Sequence, residues 1–299
     1  MTPLSGPIVF PGNSMHRVIL LAATLLLPVF LWAGPSGARS DALQPHQSIS
    51  AGLLCSSFDY QEEFAPPGKS TENGWLFGMA LRYTFKGGTD IPLYARLQFD
   101  FSPSGTEYGG TETDDFGRTV DFTQNTQNWF SKTELDAGFV FHNVGNSSLD
   151  IVPYVGYGYR VWTRELASHD NLQGYREDYS CSFLPVGVKG EVAIGRRWSV
   201  GLDVAMHIML AGSIFIDLPA YKRPTLTLGN RMGWYAALPV EYAISSSWGA
   251  SGSFWYEYSA IDKSNESPHV VNGAQEVWIY EPPSRTQQFG FALAAYYRF

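Results

Sequence analysis

The last thirteen residues read Gln287-Gln288-Phe289-Gly290-Phe291-Ala292-Leu293-Ala294-Ala295-Tyr296-Tyr297-Arg298-Phe299. The odd positions carry Phe289, Phe291, Leu293, Ala295, Tyr297 and Phe299, and the even positions carry Gln288, Gly290, Ala292, Ala294, Tyr296 and Arg298. A period of two describes a β-strand with two unlike faces. One face is apolar enough to meet hydrocarbon, and the other is small or polar.

The same alternation recurs upstream. Strands are predicted over 48–58, 74–86, 92–101, 129–142, 149–164, 179–194, 198–211, 231–244, 248–261 and 287–299, ten in all. In 74–86 the apolar face is Trp75, Phe77, Met79, Leu81, Tyr83 and Phe85. In 198–211 it is Val200, Leu202, Val204, Met206, Ile208 and Leu210, set against Asp203 and His207. The stretch 48–58, rich in Ser and small residues, has the faintest pattern. Long connections (59–73, 102–128, 165–178, 212–230, 262–285) alternate with short ones at 87–90, 143–148, 195–197 and 245–247.

A strand that closes on Phe299 with Tyr297 behind it resembles the final strand of bacterial outer-membrane β-barrels. That resemblance implies a closed antiparallel transmembrane β-barrel, all-β, with short periplasmic turns and long extracellular loops. It also implies that Tyr297 and Phe299 are the signal read by the barrel-assembly machinery. Strands of about ten residues suit a tilted crossing, and no later stretch has the roughly 18 consecutive apolar residues of a helical span. Aromatic residues make up 15% of the chain, with nine Trp and 17 Tyr, as interfacial girdles need.

Residues 1–40 read as a secretory signal. Met15-His16-Arg17 is a basic start, 18–32 is an apolar run, and small residues follow at 34–38. Met15 also serves as an alternative start. Residues 41–299 are then a single barrel domain, exported to the bacterial outer membrane. Formal net charge is −8, and without Arg17 and Arg39 it is −10, with 18 basic against 28 acidic residues. That balance argues against a nucleic-acid partner. The expected partners are outer-membrane lipid, lipopolysaccharide and the assembly machinery, and the chain is expected to be a monomer without a cofactor. Cys55 and Cys181 fall on strands one and six, opposite walls of a ten-stranded ring, so both are expected as free thiols.

The polar strand faces carry charges of both signs: Arg82, Arg96, Asp100, Lys132, Glu134, Asp136, Arg160, Lys189, Glu191, Asp203, His207, Glu241 and Glu257, with Lys86, Arg164, Arg231 and Arg298 beside them. A small barrel is filled by its own side chains, and buried charges must be paired or hydrated. The expectation is a filled, charged lumen held by ion pairs, with a narrow ion path as the alternative.

Ten strands and five long connections also resemble the omptin outer-membrane proteases, in strand plan only. That family places an Asp pair on one wall and an Asp-x-His pair opposite. Here Asp114-Asp115 are adjacent rather than spaced by one, and Asp217 has no His beside it. Asp203 and His207 share a face but lie roughly 13 Å apart along a strand, too far for a base and its orienting acid. His169-Asp170 reads as a solvated loop pair and His142 as structural. No serine stands in a nucleophile motif, and no His/Cys cluster has metal-ligand spacing. No catalytic or metal residue is therefore assigned. The leading expectation is a structural or surface-interaction barrel resembling the opacity-type small barrels. The alternatives are a barrel enzyme, omptin-type protease or lipid hydrolase, and a narrow channel.

Overall fold

The computed structural model describes residues 43–63, 70–113, 118–168, 173–218, 223–271 and 275–299. The expected export signal, Asp114-Asp115 and His169-Asp170 lie outside the described residues. Fourteen strands form: β1 His46–Glu62, β2 Ser70–Lys86, β3 Leu93–Thr113, β4 Thr119–Phe139, β5 Leu149–Leu166, β6 Tyr175–Ile194, β7 Trp198–Asp217, β8 Thr225–Thr227, β9 Gly229–Asn230, β10 Met232–Ala243, β11 Trp248–Asp262, β12 Ser267–Val271, β13 Gln275–Ile279 and β14 Ser284–Arg298.

β1 to β7 pair in sequence, β7 pairs β10, β10 pairs β11, β11 pairs β14, and β14 returns to β1. Every pairing is antiparallel, so the sheet closes as a ten-stranded transmembrane barrel. The faintly patterned first segment is a full wall strand: β1 pairs β14 from Ser48↔Arg298 to Glu62↔Ser284 and also pairs β2 along its length. Closure leaves no ladder edge in the wall, which a bilayer demands because hydrocarbon offers no hydrogen-bond partners.

The strands run beyond their expected ends. The expected loop 102–128 is mostly a β3–β4 hairpin, paired up to Thr113↔Thr119. The expected loop 212–230 holds the end of β7 with β8 and β9, and 262–285 holds the β12–β13 hairpin. Above Pro103 and Trp129 the outward positions become polar: Glu107 on β3, and Gln127, Asn125 and Asp121 on β4. Hydrophobic alternation stops there while the ladder continues, so the sequence pattern goes silent. Twenty-one residues at about 3.3 Å each, tilted by about 40°, rise roughly 50 Å, about twice an apolar band of about 25 Å.

A β-bulge also redirects β7. The β6–β7 register steps from Ser182↔Ala211 to Phe183↔Met209, leaving Leu210 as the extra residue. Beyond it the inward face changes parity, and Ile214 and Ile216 turn into the barrel. Without the bulge their even numbering would have put them outside with Val204 and Ile208.

The outward belt is apolar. Leu53, Phe77, Leu81, Phe99, Leu135, Phe139, Val204 and Leu293 are exposed on the wall. Trp198 packs on Tyr242 and Trp248 on Tyr297 at the short-turn rim. Trp75, Trp129 and Trp234 mark the other rim. Two such girdles suit the two membrane interfaces. The turns at the short end are tight: Asn143, Gly145 and Gly195 take positive φ, the left-handed region that Gly and Asn tolerate. Cys55 and Cys181 are both free. Cys55 shares the outward face with Leu53, whereas Cys181 faces the lumen, so the wall itself separates them.

Because Val204 sits in the belt, Val204→Arg should cost about 2–4 kcal/mol of folding free energy in bilayers, while Gln127→Arg, above the belt, should cost about 0–1 kcal/mol. Urea unfolding from phospholipid vesicles measures both, and equal costs would mean the belt is misplaced.

Candidate functional site

The inward face of each strand is a row of alternate residues, and closure brings these rows within reach of one another. The result is a stack of ion pairs across the lumen. At the short-turn end Arg298 of β14 donates to Glu241 of β10 at 3.0 Å. Above it, Lys86 of β2 reaches Glu191 of β6 at 2.5 Å and Asp150 of β5 at 3.1 Å, and Lys189 shares Glu191. His142 spans Asp150 and the Gly87 carbonyl, tying a turn to this level.

The next level centres on Arg96. Its Nε lies 2.8 Å from Asp136, its Nη1 2.6 Å from Asp203 across the barrel, and its Nη2 3.3 Å from Glu134. Tyr154 donates to the other oxygen of Asp203 at 2.6 Å. The Tyr154 ring stands over Gly187, where an added Cβ would come within 2.5 Å of it. Asp136 is fully buried, so Arg96 is what makes its charge tolerable.

At mid-lumen Lys132 of β4 and Arg160 of β5 converge on Glu257 of β11. Asp100 lies 4.0 Å from Lys132 and accepts from Gln98, which in turn accepts from Arg82. His207 is buried between Phe183 and Tyr235, 3.5 Å from Glu257 and 3.9 Å from Glu134. No hydroxyl or thiol of the described residues hydrogen-bonds to it. Asp203 and His207 therefore serve different partners.

The thirteen residues expected in the lumen all face inward, in these connected levels. Arg231, expected among them, is at the long-loop rim, half-exposed, and pairs with Glu63 and Asp262. A further cluster forms around Arg164, whose partners Glu72 and Glu177 are not among the expected lumenal charges. Arg164, 1% exposed, bridges Glu72 of β2 at 2.6 Å and Glu177 of β6 at 2.8 Å, with its guanidinium over Tyr60, Tyr108 and Trp162. Asn128 and Thr106 also donate to Glu72. Glu72 and Glu177 precede the expected strand starts at 74 and 179; only the longer strands put them in phase with the inward face.

Around this cluster lies an apolar plug. Phe58, Tyr60, Leu76, Trp162, Tyr179, Ile214, Ile216, Leu226 and Leu228 are buried together. The stretch between β13 and β14 is latched onto it. Glu281 accepts from Tyr60 at 3.1 Å and Tyr179 at 2.8 Å, and its backbone N–H donates to the Ser264 hydroxyl at 2.8 Å. Burial, with the Glu177 and Glu62 charges beside it, holds the Glu281 carboxyl well above the usual carboxylate range.

The packing of the lumen is uneven. The ion pairs crowd toward β3–β7. Along β1, β10, β11 and β14 several inward residues are small, such as Ser50, Ser253, Ala292 and Ala294, and leave small cavities. A mouth at the short-turn end of about 520 Å³ shares His46 and Arg298 with a cavity of about 80 Å³. That cavity shares Arg82, Tyr235 and Ser253 with a second of about 80 Å³. A third of about 60 Å³ lies against Tyr60, Trp162 and Tyr179.

Among solved structures the fold is similar to that of the outer membrane protease OmpT from Escherichia coli. The TM-score is 0.59 at 9% identity, over 85% of this chain and 97% of that one. The likeness is one of fold. OprG from Pseudomonas aeruginosa (TM-score 0.40, 9% identity, 87% of this chain and 99% of that one) and the attachment invasion locus protein Ail of Yersinia pestis (0.32, 12%, 86% and 99%) are more distant barrels. No protein-family model and no curated protein matches the sequence.

Arg96→Met should destabilise the barrel by about 3–5 kcal/mol, because Glu134, Asp136 and Asp203 then stay buried without their cation. Urea unfolding measures this, and a loss below about 1 kcal/mol would show that the three carboxylates do not depend on it. Glu281 gives a pH signature. Its folded pKa is raised, so the folded state holds the extra proton and the latch weakens as pH rises through the shifted value. Glu281→Gln mimics the protonated form. Its melting temperature should match wild type near about pH 4 and exceed it increasingly toward about pH 9. A constant offset across that range would contradict the assignment.

Proposed function

We propose that this chain is a monomeric outer-membrane barrel of a bacterial envelope, exported by its N-terminal signal, with a structural or surface-interaction role carried by its long-loop end. The observation that carries this reading is the plug: Trp162, Tyr179 and their neighbours, with the Arg164 cluster and the Glu281 latch, block the lumen above the cavities. A through-path for ions would have to break buried ion pairs and expose this apolar packing. The wall instead extends beyond the belt as a β3–β4 hairpin with polar outward residues, a surface suited to lipopolysaccharide and external partners. Tyr297 and Phe299, outward at the short-turn rim, suit recognition by the assembly machinery.

The likeness to a protease does not favour the enzyme reading, because a shared fold leaves function to the site. Among the described residues no hydroxyl or thiol hydrogen-bonds to His207. The purified barrel in lipopolysaccharide should not cleave dibasic peptides.

In planar bilayers the wild-type barrel should give no single-channel steps, whereas the double variant Trp162→Ala, Tyr179→Ala should conduct. Well-resolved steps from the wild type would overturn the closed-barrel reading in favour of a channel.

A further inference from the structure

Four carboxyls gather around one guanidinium at the long-loop end of the lumen. Arg164 of β5 bridges Glu72 and Glu177 and lies 3.8 Å from Glu62 of β1. Glu281, 4% exposed, meets two phenols instead: Tyr60 lies 3.1 Å and Tyr179 2.8 Å from its Oε1. Both phenols are contested, because Tyr60 also lies 3.1 Å from Glu62 and Tyr179 also lies 3.1 Å from Glu177. A phenol has one hydrogen to donate, so two hydrogens are shared among three carboxyls. Were all four carboxyls charged, Arg164 would leave an excess of negative charge in a buried site. Tyr108 of β3 and Tyr175 of β6 also face the cluster and bring no positive charge. The cations of the adjoining stretches are engaged elsewhere: Lys263 with Glu266, Arg231 with Glu63 and Asp262, Arg285 with Gln61. Glu281 is therefore the carboxyl that stays neutral, and burial with the Glu177 and Glu62 charges beside it raises its pKa accordingly.

Glu281 also ties the β12–β13 hairpin to the barrel. β12 and β13 pair with each other in a sheet apart from the wall. At the base of the hairpin the Ser264 N–H donates to the Glu281 carbonyl at 3.0 Å, and the Glu281 N–H donates to the Ser264 hydroxyl at 2.8 Å. The two arms therefore move together, with the Glu281 carboxyl pointing from them into the plug. The remaining ties are neutral: Asn265 bonds the Thr227 backbone, and Ile279 packs against the plug. Beneath the hairpin the wall is continuous, because β11 and β14 stay paired from Trp248↔Tyr297 to Ile261↔Ser284.

We propose that β12 and β13 form a proton-held lid: it rests on the plug while Glu281 is neutral and lifts when Glu281 is charged, baring Tyr60 and Tyr179 at the long-loop end. A charged Glu281 competes with Glu62 and Glu177 for the two phenolic hydrogens, and it does so beside like charges. Lifting the lid puts that charge in water and removes both costs. The closed lid holds one more proton than the lifted one, so closure weakens as pH rises through the shifted value, by at most about tenfold per pH unit. This adds regulation to the surface role of the long-loop end, and it holds or fails independently of conduction.

The test is a spin-label distance measurement by double electron–electron resonance on the full-length barrel folded in detergent. Cys55→Ser and Cys181→Ser remove the native thiols, and Asp59→Cys with Trp278→Cys place labels at exposed positions of β1 and β13. One distance is expected at about pH 6; a second, longer one should grow about tenfold or more by about pH 9 and vanish on return to about pH 6. Glu281→Gln should keep the single short distance at both pH values. Glu62→Gln, which removes a neighbouring charge, should reduce the longer population at about pH 9, and it carries the comparison if Glu281→Gln does not fold. A second pair on the wall, Asp59→Cys with Glu165→Cys, should give the same distance throughout. A distance that ignores pH without the Glu281 change, equal lengthening in Glu281→Gln, or equal lengthening of the wall pair would each overturn the proposal.

Discussion

The pairing of β1 with β14 is the constraint on which everything else in this molecule depends. A bilayer offers no hydrogen bonds to an open sheet edge, so the first and last strands must find each other across more than two hundred residues of chain. The side chains of β1 contribute little to specifying this: Ser50, Ala51, Gly52, Ser56 and Ser57 are small. Their smallness has a use, because Gly52 packs against Ala294 so closely that a Cβ would overlap it. The closing strand carries the apolar pattern, and its partner carries the fit.

Closure then turns a row of charges on each strand into a three-dimensional network. Partners such as Arg96 and Asp203, or Lys132 and Glu257, are more than a hundred residues apart and come from strands on different sides of the ring. Such pairs gain strength from the low-dielectric interior and lose it when one member is removed, so the lumen tolerates loss of a partner poorly. The network is also asymmetric. Large and charged residues of β3–β7 fill one side, and Ser, Ala and Gly of β11 and β14 leave small cavities on the other. A barrel of ten strands is near the width at which its own side chains suffice to fill it. Here they leave cavities of about 80 Å³ beside Arg82.

The two ends of the lumen differ for a physical reason. The short-turn end is held by polar contacts such as Arg298–Glu241 and stays open to solvent. The long-loop end is sealed because the bulge at Leu210 turns Ile214 and Ile216 inward to meet Trp162 and Tyr179. Once that apolar packing excludes water, Arg164 needs Glu72 and Glu177, and the Glu281 carboxyl is held above the usual carboxylate range.

Much of this protein was legible in its residues alone. Period-two alternation in segments such as 74–86 and 287–299 marks ten wall strands, because hydrocarbon outside and polar groups inside impose that period directly. The same parity puts Arg82, Arg96, Glu134, Asp203 and Glu257 in the lumen, since successive side chains of a strand must point to opposite faces. What parity could not supply was anything set by contacts between distant strands. Above the belt both faces of the wall are polar, so the β3–β4 extension and the in-phase positions of Glu72 and Glu177 leave no periodic trace. A single extra residue at Leu210 inverts the inward face of β7 without altering composition. Which carboxylate answers which cation depends on how ten strands are staggered around the ring, and only the closed structure decides that.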